Sequence, residues 1–491
     1  MFDISKCNDE ILLLIIEQIP SPKDLASLAI CSRRLYNATK PWLYSSCILR
    51  KPTSIHYYLR TILAHEDLGD RAKRLVYFTE ESYSNPENLN DSDWQRLQLV
   101  MVKGLPYSAN FDHRLHWKRL RKGVDDAFLS MLLCVLPNLE EIDMLHYGSS
   151  ERGHPYVESF LKRAATYQRD SSSSPLAMKN LRRVRLHNMD ENSFPEKGLA
   201  LFQALPYLEL ESVQYFSCHR VNGSLFPRPN FGIDRHIDTP GSIYCDGSKP
   251  RSLFSKDTVS LTHAFIQPEQ VRKFFQLFSS IRRLEFDFNH EDESIDNWEQ
   301  HKMDFVPQSL VDSVAHLSHS LEELILTQHE YPNEVIDDKA ERPISPLVSF
   351  QKLIKLKISA HLLLGKDRRS NSRSTNYNQM AIFDQHFFPK SLKHLTICDC
   401  STSIFRVLKS WALPGNLLPE NLQTLNILFT SDSWQMMEDV TCLSNLTLFD
   451  SKFLPWSIKI NLASSVSPDT DWCPGCVEVE GTREGLELKW N

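Results

Sequence analysis

The chain has 491 residues, with 55 Lys and Arg against 62 Asp and Glu and a formal net charge of −7. That balance offers no general attraction to nucleic acid or to an anionic membrane surface, and the 41% hydrophobic and 24% charged content is that of an ordinary globular protein. The length exceeds what one compact core usually fills, so several domains or one elongated repeat array is expected.

The first fifty residues read as short helices. Ile11, Leu12, Ile15, Ile16 and Ile19 recur at helical spacing. Asn8 and Asp9 can cap that helix, and Glu10 adds negative charge to its first turn, where the helix dipole favours it. Pro20 and Pro22 predict a stop at Ile19, because proline excludes the helical conformation just ahead of it. A second helix is expected from Ser21 or Asp24, with Leu25, Leu28, Ala29 and Leu35 on one face and Arg33 and Arg34 in its last turn. A third short segment closes with Pro41, Trp42, Leu43 and Tyr44.

The order of Asp9-Glu10-Ile11, the proline turn ahead of Asp24-Leu25, Leu28, Arg33-Arg34-Leu35-Tyr36 and Pro41-x-Leu43-Tyr44 resembles the F-box, in the variety common in fungal proteins. The resemblance covers residues 6–48. It departs at the start, where the family usually has Leu-Pro and this chain has Cys7-Asn8. The resemblance implies a trihelical module that docks an apolar surface on a Skp-family adaptor, and through it joins a cullin ubiquitin ligase. Ile11, Leu12, Ile15, Leu25, Leu28 and Tyr36 would then form the adaptor surface or its immediate support. Size agrees, since some forty residues in three helices cannot bury all these side chains internally. The plainer alternative is that the helices pack on the rest of the chain and bind nothing.

From about residue 70 a unit of the form apolar-x-x-apolar-x-apolar recurs. Its copies begin at Leu139, Leu181, Leu210, Ile281, Leu321, Leu353, Leu392, Leu422 and Leu443, with an outlying one at Ala72 to Tyr77. The long interval from Val213 to Leu284 has room for another at Val259-x-Leu261. A self-similar unit at loosely regular spacing marks a repeat array, with steps that here scatter around and above the roughly 20 to 29 residues of standard leucine-rich repeats. The slot three residues past each strand's last apolar position holds Cys218, Asn289, His329, His361, Cys400, Thr430 and Ser451, mostly groups able to hydrogen-bond, with Tyr147 and Met189 fitting poorly. Return helices are expected near 125–136, 155–165, 196–205, 269–278, 310–317, 403–411 and 433–440. Strand then helix, repeated, argues for an α/β array with a parallel sheet.

Together the two patterns resemble the F-box proteins with leucine-rich repeats. The expected architecture is α/β: a small helical F-box over 1–50, a connector and first irregular repeat over 51–135, and a tail or cap over 461–491. Between them, over 136–460, lies an irregular leucine-rich-repeat-like solenoid with a curved parallel sheet. Insertions fall near 219–252 and 365–378, the second basic and serine-rich.

Catalytic motifs are scarce: there is no glycine-rich phosphate loop, nucleophile elbow or zinc-binding helix pattern. Cys473-Pro-Gly-Cys476 lacks the second ligand pair that a structural zinc site needs and reads best as a turn. Acidic runs at 291–293 and 337–338 read as solvated loops. No enzyme activity, cofactor or metal is expected. Eleven cysteines, thinly spread, and an N-terminal apolar run too short for a signal peptide point to the cytoplasm or nucleus, and no segment is long enough to span a membrane.

On the strands, residues between the apolar positions should face outward. Asp143, Arg185, Glu285, Asp287, Lys357, Thr396 and Asn426 are the candidates for binding a target protein, and their alternating charge suits a particular protein partner better than a nucleic acid or a membrane. The expected function is substrate recognition for a Skp/cullin/F-box ligase. The alternatives are a repeat scaffold acting outside a ligase, or a metal-binding or small-enzyme function centred on Cys473 and Cys476.

Overall fold

The computed structural model describes residues 7–50 except 20, 52–79, 89–104, 113–146, 155–170, 174, 177–188, 199–222, 254–287 except 265 and 267, 307–327, 344–367, 376–377 and 387–400. Beyond these it describes 404, 407, 419, 421–429, 459–464, 477–482 and 485–490. The described residues fall into two compact units, one up to His219 and one from Arg220 onward.

The first unit opens with helices α1 (Asp9–Glu17), α2 (Pro22–Ala29) and α3 (Arg33–Leu43). Each starts on a side-chain cap: Asn8 accepts from the Ile11 amide, Ser21 from Asp24 and Ser32 from Leu35. The caps correct the sequence reading of this region. Ser32, in an extended conformation, breaks the chain and starts a new helix, so Arg33 and Arg34 lie in the first turn of α3 and Pro41 lies inside it. α1 ends at Glu17, two residues before Ile19. Leu12, Ile16, Leu25 and Leu35 form a small core, with Ile19, Leu28, Ala38, Trp42 and Leu43 packed against it. Arg34 ties α3 back to the beginning of α1, donating to Asp9 at 2.7 Å and to the Cys7 carbonyl.

Five strands of this unit are parallel and adjacent in chain order: β1 (Ser46–Leu49), β2 (Arg74–Thr79), β3 (Glu141–His146), β4 (Arg183–Asn188) and β5 (Tyr215–His219). Their register stacks Leu75, Ile142, Val184 and Phe216 in one buried row, and Tyr77, Met144, Leu186 and Cys218 in the next. The fifth strand corrects the register expected for the repeat that begins at Leu210. Its repeat is Val213-x-x-Phe216-x-Cys218, so Tyr215 faces outward at 41% exposure. Cys218 is therefore a core residue of the strand, in the position of Leu186, and does not occupy the slot after it.

A repeated hydrogen bond explains how successive strands keep register. At each strand start one carbonyl accepts from two consecutive amides of the next repeat: Ser45 from Lys73 and Arg74, Lys73 from Glu140 and Glu141, Glu140 from Arg182 and Arg183, and Arg182 from Gln214 and Tyr215. The side chain just before the repeat's first leucine reinforces this. Asn138 donates to the Asp70 carbonyl at 2.9 Å, and Asn180 donates to Asn138 at 3.1 Å.

Between the strands lie α4 (Pro52–Ala64), α5 (Glu66–Gly69), α6 (Asp91–Gly104), α7 (His113–Arg121), α8 (Asp125–Cys134), α9 (Pro155–Arg169) and α10 (Leu201–Leu208). Phe128 joins several of them, with its ring 4.2 Å from His56 and 6.3 Å from Trp94. Arg121 stacks over Trp94 at 4.1 Å. The Asp126 carboxylate satisfies the free amides of Tyr156 and Val157 at the start of α9, at 2.8 and 3.2 Å.

The second unit repeats the plan. β6 (Phe254–Thr262), β7 (Phe278–Asp287), β8 (Glu323–Thr327), β9 (Lys355–Ser359), β10 (His394–Cys400), β11 (Thr424–Phe429) and β12 (Lys459–Ser464) are parallel in that order. β13 (Val477–Thr482) and β14 (Gly485–Trp490) follow antiparallel. Val259, Leu284, Leu324, Leu356, Leu395 and Leu425 make one buried row, so Val259-x-Leu261 belongs to a strand of the series. Helices α11 (Pro268–Phe275), α12 (Pro307–Val314) and α13 (Ala360–Leu364) connect strands. α11 stops short of 278 because Phe278 already pairs with Phe254. The copy expected at 443–448 lies outside the described residues, and Lys459–Ser464 takes the place beside β11. The helix expected at 433–440 also lies outside them, as does most of that at 403–411. The fold is thus mixed α/β, with parallel strands stacked in chain order.

Candidate functional site

The sequence candidates fall in two regions that present exposed surface, although Leu12, Leu25 and Asp287 are themselves buried. The first is on α1 to α3. α1 runs apolar without a break from Ile11 to Ile16, more than one helical face can bury. Leu12 and Ile16 take the core, leaving Ile11 48%, Leu13 41% and Leu14 62% exposed. Ile30, at the end of α2, is 87% exposed, and Tyr36 on α3 is 43% exposed. Of the six adaptor-surface candidates, Ile11 and Tyr36 are therefore presented to solvent, Leu12 and Leu25 are buried, and Ile15 and Leu28 are half-buried. Leu14 and Ile30 were not among the candidates. The unbroken apolar run gave the signal for Leu14; nothing in local sequence marks Ile30.

The second surface is the outward face of the strands. In the first unit it is laced by ion pairs between repeats. Glu141 faces Arg183 at 3.2 Å and Arg74 at 3.8 Å. Asp143 is surrounded by Arg74 at 3.3 Å, His187 at 3.4 Å and Arg185 at 3.9 Å. Burial alone would raise the Asp143 carboxyl, but hydrogen bonding and charge from His187, with Arg74 and Arg185, outweigh it and hold it below its usual value. Asp143 and Arg185 are thus partners of each other.

In the second unit Glu285 accepts from Ser260 at 3.1 Å, and Arg283 lies between Glu285 and Glu323 at 3.9 and 3.7 Å. Asp287 is 7% exposed, accepts from Thr327 at 2.9 Å and faces His263 at 3.8 Å. The character then changes at β9. Lys355 and Lys357 project from alternate positions and are exposed. They adjoin Glu323 and Ile325 on β8, and His394 and Thr396 on β10. His394 Nδ1 lies 2.8 Å from the Thr424 hydroxyl, and Asn426 donates to the Thr396 hydroxyl at 3.0 Å. These side chains line a groove of about 420 Å³. Lys357, Thr396 and Asn426 therefore come together, while Asp143 with Arg185 and Glu285 with Asp287 lie elsewhere on the strands.

Several side chains with nucleophilic or acidic groups are buried among the described residues. Ser359 is fully buried and donates to Asp399 at 2.6 Å, where the pairing of β10 with β11 shifts register and Asp399 adopts φ 55°. Burial pushes the Cys398 thiol up to about 12 and raises Cys47, Cys134, Cys218 and Cys400 as well, so these thiols stay protonated and unreactive at neutral pH. Two of the expected slot residues, His361 and Cys400, are buried; Asn289, His329, Thr430, Ser451, Tyr147 and Met189 lie outside the described residues. Among the described residues no group of three or more His, Cys, Asp or Glu could hold a metal, and no helix is long and apolar enough to cross a membrane. Cys473, Cys476 and the acidic runs at 291–293 and 337–338 lie outside the described residues.

The chain matches no protein-family model, and it matches no curated protein.

Proposed function

We propose that the chain is a substrate-recognition subunit of a Skp/cullin/F-box ubiquitin ligase. In this reading α1 to α3 are an F-box that docks on a Skp-family adaptor, and the strand-helix repeats are an irregular leucine-rich-repeat-like solenoid whose strand face holds a target protein. The observation that carries it is on α1: a three-helix segment with a core of its own leaves Ile11 and Leu14 on one helix face, about half or more exposed. An isolated apolar face of this kind is stabilised by covering it with a partner, at roughly 25 cal/mol per Å² removed from water.

The Cys7-Asn8 departure from the family pattern is absorbed locally. Asn8 caps α1, and the Cys7 carbonyl receives Arg34. The chain then contributes proximity and orientation and no covalent step, since ubiquitin transfer is carried by another member of the complex. The test is reconstitution of the full chain with a Skp-family adaptor and its cullin, read by size-exclusion chromatography. A ternary complex is expected. Capture of the adaptor without the cullin would favour a scaffold acting outside a ligase, and capture of neither would end the receptor reading.

A further inference from the structure

We infer that the groove over β9 is a peptide subsite that takes an extended acidic segment with two carboxylate side chains two positions apart. The inference rests on the receptor reading, in which the strand face holds a target protein, and it names the chemistry of that target.

Three observations converge on it. First, the outward arginines of other strands have carboxylates across the strand: Arg283 in the same unit, and Arg74, Arg183 and Arg185 within the first unit. Lys355 and Lys357 have no ion-pair partner among the described residues; Glu323, beside Lys355 in the register, lies within 4 Å of Arg283 instead. Among the described residues, two exposed cations thus stand without an ion-pair partner on strands whose outward arginines are paired.

Second, the two lysines are two residues apart on one strand, so they share a face at about 6–7 Å, which is the repeat of alternate side chains in an extended peptide. Each stands in its own row of hydrogen-bonding groups. Lys355 is followed by His394 and Thr424, and Lys357 by Thr396 and Asn426. The Thr396 hydroxyl accepts from Asn426 and so keeps its own proton to donate. Two anion positions in register are a poor match to one compact anion and a good match to two side chains of a strand.

Third, the walls set limits. Glu323 repels negative charge at the β8 edge, which places the carboxylates on the side of β9 toward β10, and Ile325, 6% exposed, offers an apolar contact beside Lys357. The groove volume of about 420 Å³ is that of a cleft for a few side chains. With Glu323 on the adjoining β8 and Glu285 on β7 beyond it, a nucleic-acid backbone, which needs several cations in series, is disfavoured.

The experiment is fluorescence polarisation with the full chain and a fluorescein-labelled peptide, Ser-Gly-Glu-Val-Glu-Gly-Ser, against the same peptide with both Glu replaced by Gln and a third with both replaced by phosphoserine. The Glu peptide should bind at least tenfold tighter than the Gln peptide. A Lys355→Glu/Lys357→Glu variant, with unchanged melting temperature, should lose at least tenfold in affinity, and Lys357→Glu alone should lose part of it. Raising the salt concentration should weaken binding, as screening at a Debye length of about 8 Å requires. No binding of the Glu peptide, equal binding of the Gln peptide, an unaffected double variant, or binding of the phosphoserine peptide alone would each overturn the inference. Adaptor capture is measured on the same samples. If it persists while peptide selectivity fails, only the groove assignment falls; if it fails while peptide selectivity persists, only the ligase reading falls.

Discussion

Replacing Phe216 and Tyr215 one at a time discriminates the observed register of β5 from the one that spacing suggests. Phe216 is 1% exposed and stacked in register with Val184, while Tyr215 is 41% exposed and lies under the Arg183 guanidinium at 5.4 Å. Truncating a buried phenylalanine removes its transfer free energy and leaves a cavity, so Phe216→Ala should cost about 3–5 kcal/mol. Tyr215→Ala gives up a solvent-exposed cation–π contact of about 0.5–1 kcal/mol and little burial. Urea unfolding of the full chain, followed by far-ultraviolet circular dichroism and tryptophan fluorescence, measures both as shifts of the transition that includes β5. A loss for Tyr215→Ala equal to or greater than that for Phe216→Ala would mean that Tyr215 faces the core, and the register and the outward face built on it would both be wrong.

Four further outcomes follow from the same packing. His56 and His116 are buried, and desolvation lowers both to about 4; their unfolded forms take up protons near the ordinary value, so stability should fall as pH drops from about 6.5 toward 4, by up to about 1.4 kcal/mol per pH unit for each histidine. Urea midpoints that stay level across that window would contradict this. Asp143→Asn removes the anion shared by Arg74, Arg185 and His187 and should cost about 1–3 kcal/mol, whereas Arg282→Ala breaks an exposed pair with Glu322 and should cost under about 1 kcal/mol, both read by denaturant titration. Asn8→Ala should lower the stability of the three-helix segment by about 1 kcal/mol, seen as faster amide exchange in α1. Gly69→Ala should destabilise the first unit and lower its melting temperature, because a Cβ there would fall against the Val135 carbonyl oxygen.

Much of the parallel strand order can be read from spacing, since a leucine or isoleucine at alternate strand positions must be buried on one face and the pattern recurs. Spacing fails at β5 because Leu210 and Val213, both buried in the turn before the strand, imitate a strand's own apolar pair. β1 is too short to make a pattern. The charge ladder is illegible for another reason: Arg74 meets Asp143 across 69 residues and Arg183 meets Glu141 across 42, distances that only strand stacking closes. So Asp143 and Glu285 look like free binding groups in sequence and are partnered in the fold, while Lys357 has no ion-pair partner among the described residues. On α1 to α3 the apolar residues are plain but their faces are not. Sequence leaves Leu25 open between surface and support, and the fold makes it core, because the cap at Ser32 turns α3 back over α2.

The burial of Leu25 decides how the adaptor surface is best tested. Charged residues at Leu25 and Leu28 would break the small core, so a loss of binding there would say little. Ile11→Asp/Leu14→Asp changes only exposed positions and should leave the melting temperature within about a degree, as surface substitutions usually do. The decisive measurement is capture of a Skp-family adaptor by the full chain and by this variant at equal concentration. Retention by the wild type with at least a tenfold loss in the folded variant is the predicted result. Equal capture by both, or no capture by the wild type, would contradict the account.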